Sequence, residues 1–249
     1  LSQTEMTAII NEVSGERAMH HLLELVPYQR VRPPAEYSGP YRESRVIADF
    51  AKEYGFSNVS IEVYQNSGTT WQPTQGELWM TTPKSEKLFD IHDVALALAS
   101  VNANGDFTAD LIDVGAGRAS DFDGKEVKGK FVLSSGTTGA VYALATERGA
   151  IGVLGVSAIG YERAVDYPTQ IVWSTVNAKP GTVAWSVTPE VEHNLSALLV
   201  RGEKITIRSI TKSVEVPNKQ EYVHAEIPGD GSTTQEVAIS GHLFEGMIK

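Results

Sequence analysis

Cysteine is absent from all 249 residues, which excludes disulfides, thiolate zinc sites and a cysteine nucleophile together. That absence fits the cytosol and an oxidising compartment equally. The chain also lacks a basic cluster. Its formal net charge of −10 argues against a nucleic-acid partner held by phosphate neutralisation. Long apolar runs are missing too: the apolar stretches are short and cut by glycine, so none reads as a membrane span. There is no Gly-x-Ser-x-Gly elbow, because Gly155-Val-Ser157-Ala-Ile-Gly160 misses the spacing, and nucleophilic serine catalysis has no support. Finally, the chain opens on Leu1 with no charged, apolar leader behind it, and the expectation is a processed, exported protein.

Apolar residues make up 41% of the chain, enough for one large domain or two small ones with their own cores. Residues 4–26 predict helix, broken near Ser14-Gly15. Ile9, Ile10 and Val13 form one apolar stripe and Leu22, Leu23 and Val26 the next, before Pro27. Pro33, Pro34, Gly39 and Pro40 predict a loop. A second amphipathic helix follows, with Val46, Ile47, Phe50, Ala51 and Tyr54 at helical spacing and Gly55 as its left-handed cap. The period then changes to two. Val59, Ile61 and Val63 alternate with polar residues, and a separate strand is expected over residues 77–81, ending at Pro83.

From about Asp90 to Lys212, short strand-like pieces (109–114, 130–133, 151–156, 182–187 and 204–210) are separated by glycine turns. Two helices interrupt them, Thr138 to Arg148 and Pro189 to Val200. The unit has the size of a separate domain. After it, Tyr222 to Ile227 predicts a strand, Pro228-Gly-Asp-Gly231 a turn, and Glu236 to Ser240 an apolar strand delivering His242. The pattern is one domain inserted into another, with the host split into 1–90 and 213–249 and the insert at 91–212.

The candidate chemistry is sparse. His20 and His21 are adjacent on a helix and point about 100° apart, which prevents both from facing one metal. His92 and His224 have no carboxylate at ligand spacing. Glu190 and His193 share a helix face but need further ligands that their segment does not supply. Gly124-Lys-Glu-Val-Lys-Gly-Lys130 is most of a phosphate loop, but Phe131 stands where Ser or Thr would hold magnesium, and the stretch precedes a strand. It is expected to be a basic turn. Asn58-Val-Ser60 and Asn194-Leu-Ser196 match the glycosylation triplet, a pattern common by chance. His242 is left, at the end of an expected strand, where open α/β sheets keep ligand sites. A satisfied structural imidazole and a metal ligand are both open readings. Glu245 is open as an acid, a supporting partner or plain surface.

The order of pieces carries more than any single motif. Two N-terminal helices, then Lys52-Glu-Tyr-Gly-Phe56 running on to Val63, an insert, then His224-Ala-Glu-Ile-Pro-Gly229 and Val237-Ala-Ile-Ser-Gly-His242 follow one another. In that order they resemble the bacterial zinc aminopeptidases and glutamate carboxypeptidases with two co-catalytic zincs. Ala109 to Gly115, Phe122 to Lys125, Val127 to Leu133 and Ala145 to Leu154 resemble the protease-associated (PA) domain that those enzymes often carry as an insert. The fold class implied is α/β: an incomplete zinc-exopeptidase α/β sheet domain with an inserted β-rich protease-associated domain.

In such enzymes two zincs bridged by a carboxylate lower the pKa of a shared water and polarise the scissile carbonyl. The resemblance carries one ligand over to this chain, His242. It names no catalytic residue and no further cofactor-binding residue here. Two departures stand out. The family's usual His-x-Asp is interrupted by Phe244, with Glu245 one position further on. The remaining metal ligands of the family fall beyond Lys249. The resemblance therefore implies the N-terminal part of an exported zinc exopeptidase acting on peptide substrates, without activity as this chain alone. Association or strand exchange between copies, a homo-oligomer, is expected to cover the exposed sheet edge. The alternative is a degenerate peptidase scaffold that presents the insert to a protein or peptide partner.

Overall fold

The computed structural model describes residues 2–26, 41–156, 166–242 and 247–248. The loop expected around Pro33 to Pro40 lies outside them, as do residues 157–160, Phe244 and Glu245. Two compact units divide the chain, one from Leu1–Asn66 with Lys219–Leu243, the other from Ser67–Asn218 with Phe244–Lys249. Residues 67–90 belong to the second of these units and contribute sheet to it.

The first unit opens with helices α1 (Gln3–Glu12) and α2 (Gly15–Leu25), broken at the expected place. Ser2 and Glu5 form a reciprocal capping box on α1, and the Ser14 hydroxyl caps α2 by accepting from the Arg17 amide. Neither helix has a buried residue. Helix α3 (Arg42–Glu53) does, burying Glu43, Ser44 and Ala48. It ends at Gly55, whose φ of +79° only glycine adopts without strain.

Two long strands, β1 (Ser57–Thr82) and β10 (Thr206–Glu226), pass from one unit into the other. The two strands expected over 59–63 and 77–81 are therefore one, and the strand expected from Tyr222 is the end of a strand begun at Thr206. Asn66, Gly68 and Pro73 are turn signals read locally, but β10 lies beside β1 as its hydrogen-bonded neighbour. Pairing with a partner outweighs local turn propensity.

The second unit is built on a mixed sheet. Strands β2 (Glu86–Asp90), β4 (Gly105–Asp113), β5 (Phe131–Ser134), β6 (Gly152–Gly155) and β9 (Val183–Ser186) join β1 and β10 in the order β2-β1-β10-β4-β5-β6-β9. β10 runs antiparallel to β4, and β4, β5, β6 and β9 are parallel, with Leu111↔Phe131, Val132↔Val153 and Leu154↔Trp185 in register. Parallel strands need crossovers, and helix α4 (Thr138–Glu147) supplies the one between β5 and β6. Helix α5 (Pro189–Val200) leads from β9 back to β10, capped by the Thr188 hydroxyl with Pro189 in its first turn. Two short pairs complete the unit: β3 (Ser100–Val101) with β8 (Val176–Asn177), and β7 (Ile171–Val172) with β11 (Met247–Ile248).

The core lies between α4 and the parallel strands. Val114, Val132, Val141, Ala145, Val153 and Ala184 are each 1% exposed or less there. Trp185 is fully buried, and its indole N–H donates to Ser209 Oγ at 2.8 Å, which satisfies the polar atom that burial would otherwise penalise. Among the described residues no helix is long and apolar enough to cross a membrane.

The strand expected at residues 236–240 is not formed. The chain leaves β10 after Glu226 and runs to His242 without helix or strand. Val237 and Ile239 are 92% and 94% exposed. Alternating apolar residues become a strand only where a partner supplies the ladder and a face to bury.

Candidate functional site

His242, the one site residue taken from the sequence, stands on this exposed segment and is itself exposed. The rigid strand expected to orient its ring is missing. Among the described residues, no three His, Asp or Glu side chains converge in a way that would hold a metal ion. One imidazole is one ligand, so these residues by themselves do not fit a zinc centre, which takes three or four. Glu245 and Phe244 lie outside the described residues.

The other histidines have local partners. His224 Nε2 is 3.0 Å from Glu226 Oε1, and Asn58 Nδ2 donates to Glu226 Oε2 at 2.5 Å. These bonds, His224 first, hold the Glu226 carboxyl below its ordinary pKa. Ligand spacing along the sequence gives His224 no companion carboxylate. The missed signal was the strand period, which places residues two apart on one face. Backbone N–H of His92 donates to Asp90 Oδ1 at 3.0 Å.

His20 and His21 border one recess between α2 and α3, with Arg17, Glu24, Phe50, Glu53 and Tyr54. The ring of His21 packs 4.1 Å from Phe50 and edge-on to Tyr54, whose hydroxyl is 3.2 Å from Nε2. A recess is wider than a coordination sphere, so adjacent histidines can line it without sharing an ion.

The basic turn is a turn, with Gly124 and Gly129 at φ +71° and +68°. Two of its three lysines are committed to β4: Lys125 Nζ donates to the Asp113 carbonyl at 2.6 Å, and Lys130 Nζ pairs with Asp110 at 2.8 Å. On α5 the perturbed carboxylate is that of Glu192, between Glu190 and His193. Burial and then the charge of Asp113 push the Glu192 carboxyl above its ordinary pKa, against the opposing pull of His193. Asp113, at the carboxyl end of β4, accepts from Ser196 Oγ at 2.5 Å and from the Gly115 amide at 2.7 Å. Sequence spacing could not bring positions 113, 192 and 196 together, because α5 meets β4 only in the folded unit.

No protein-family model and no curated protein matches this chain. Solved structures do. The chain is similar to BSAP, a zinc aminopeptidase from Bacillus subtilis, with a TM-score of 0.50 and 15% identity over 76% of this chain and 41% of that one. It is also similar to an aminopeptidase from Aneurinibacillus sp. strain AM-1, with a TM-score of 0.48 and 23% identity over 89% of this chain and 50% of that one. The chain spans half the length of these structures or less. The likeness to BSAP concerns the fold: a mixed α/β scaffold of the aminopeptidase kind.

Proposed function

We propose that this chain supplies the N-terminal portion of a zinc-dependent exopeptidase, an aminopeptidase-like enzyme releasing residues from peptide ends, and does not hydrolyse peptides alone. The observation that carries this reading is the fold likeness to BSAP, in which 76% of this chain corresponds to 41% of a longer aminopeptidase. The order of sequence pieces ending in Gly241-His242 supports the same reading. Within it, residues 91–212 are the protease-associated insert and His242 is a zinc ligand whose companions the rest of the protein provides. The whole protein is exported, and association between copies of this chain covers Val237 and Ile239. No step of the reaction is assigned to the described residues, because they do not form a metal centre.

The test uses the whole gene product. It should bind zinc, release terminal amino acids from short peptides, and lose both properties on His242→Ala. Full metal content in that variant would remove His242 from the site. A native gene product that is inert towards peptides would favour the second reading, a non-catalytic scaffold that binds a protein or peptide, for which Phe244 in the family's aspartate motif is the sequence signal.

A further inference from the structure

The chain contains a single Asn-Gly dipeptide, Asn104-Gly105, at the turn entering β4. Asparagine before glycine is the sequence most open to deamidation, because glycine's small size lets its own amide nitrogen reach the preceding side chain. Asn104 is exposed to water. The Phe107 ring lies over Gly105, with Cζ 2.5 Å from where a Cβ would stand, so a larger residue here would have to move that ring. The fold thus keeps a chemically labile pair in contact with solvent.

It also restrains that pair. The Asn104 side chain is held at both ends. Its Oδ1 accepts from the Ser213 amide at 2.8 Å, and its Nδ2 donates to Ser213 Oγ at 2.9 Å and to the Asn102 carbonyl at 3.3 Å. Asn102 adopts a left-handed backbone, φ +56°, which shapes the turn. Gly105 itself lies in the ladder opposite Thr211 of β10.

We propose that Asn104 is a site of spontaneous deamidation that Ser213 holds in check, so that its conversion marks loosening of the β4–β10 corner. In the reaction the Gly105 nitrogen bonds to Asn104 Cγ, the Cγ–Nδ2 bond breaks and ammonia leaves. Water then opens the cyclic imide at either carbonyl, giving aspartate or isoaspartate, with one water consumed and one ammonia released overall. Reaching that geometry requires the carboxamide to leave Ser213 and the Gly105 backbone to leave its ladder position. The product is self-reinforcing. A carboxylate has no N–H to offer Ser213 Oγ and the Asn102 carbonyl, and sets negative oxygen against that carbonyl. Isoaspartate adds a backbone atom just before the Gly105↔Thr211 pair and shifts the register.

Incubation of the chain at mildly alkaline pH, with peptide mass spectrometry and isoaspartate detection at position 104, tests this. The native chain should convert at least about tenfold more slowly than the urea-unfolded chain, since the restraining bonds must open first. Ser213→Ala, which keeps the amide bond but loses the hydroxyl, should convert about three- to tenfold faster than the native chain. Ser213→Thr, which keeps the hydroxyl, should match it. Equal rates for native and unfolded chains, equal rates for native and Ser213→Ala, or no conversion in the unfolded chain would each overturn the proposal. The first comparison needs no variant and stands even if Ser213→Ala folds poorly.

Discussion

The Glu221 side chain has no access to water, and Lys219 beside it is 9% exposed, with Nζ and Oε1 2.7 Å apart. The second carboxylate oxygen accepts from the Tyr41 backbone amide at 2.9 Å, and the Lys219 ammonium lies 4.5 Å from the Tyr41 ring centroid. Burial works against ionisation of Glu221, but Lys219, the Tyr41 amide and Ser44 together outweigh it and hold the carboxyl below its ordinary value. A carboxyl depressed in the folded state contributes fully above the ordinary glutamate value of 4.5 and loses that contribution as pH falls through the folded value. Acid should therefore release the start of α3 from β10. Hydrogen exchange of the α3 amides, followed downward from neutral pH, should show protection falling in wild type. In Glu221→Gln protection should be lower at neutral pH, because the charge-assisted contact between positions 221 and 219 is weakened, and flatter across the acid range. An unchanged acid profile in the variant would assign the pH dependence to another group.

Between strand and helix, the tight contact is at Gly155 in β6. A Cβ there would stand 2.8 Å from Cα of Thr138, at the start of α4. That neighbour is backbone and cannot rotate away, so the β5-α4-β6 crossover closes only over glycine. Gly139, one residue along the helix, has nothing within 4 Å of where its Cβ would be. Gly155→Ala should cost about 1–3 kcal/mol, the usual penalty of overpacking a core. Gly139→Ala should be neutral or stabilise by up to about 1 kcal/mol, through helix propensity. Urea unfolding followed by tryptophan fluorescence checks both, since Trp185 is fully buried in the same unit. Similar midpoints for the two variants would mean that α4 does not rest on β6 as closely as described.

For the molecule as a whole, backbone hydrogen bonding is unevenly distributed. Strands β4, β5, β6 and β9 are tied by continuous ladders, whereas residues 227–242 make only short-range side-chain bonds at Ser232 and Gln235 among the described residues. Segments without ladders open at little free-energy cost. Thermolysin, which cuts before large apolar residues, should cleave first before Val237 and Ile239, leaving the parallel sheet intact. Early cuts between residues 105 and 156 would contradict this ordering. The same exposed residues are those that the proposed association between copies buries, so protection that rises with protein concentration would support that association.

Helices α3, α4 and α5 were legible in the sequence because their signals are local: an amphipathic stripe, Thr188 and Pro189 at a start, Gly55, Gly149 and Gly202 with positive φ at the ends. So was the basic turn, whose chemistry is written in adjacent residues. Strand identity was not. Whether residues 57–82 made one strand or two depended on β10, about 150 residues away, and whether residues 236–240 made a strand depended on a partner that no local pattern encodes. The candidate site divides the same way. A histidine at 242 is visible in the letters, while its exposure, and the meeting of Asp113, Glu192 and Ser196, came from the packing of distant segments. Composition and short-range pattern determined what this chain excludes and where its helices lie. Only tertiary structure decided the pairings, because a ladder, a carboxylate pair or a ligand set needs groups that chain closure brings together and spacing alone cannot.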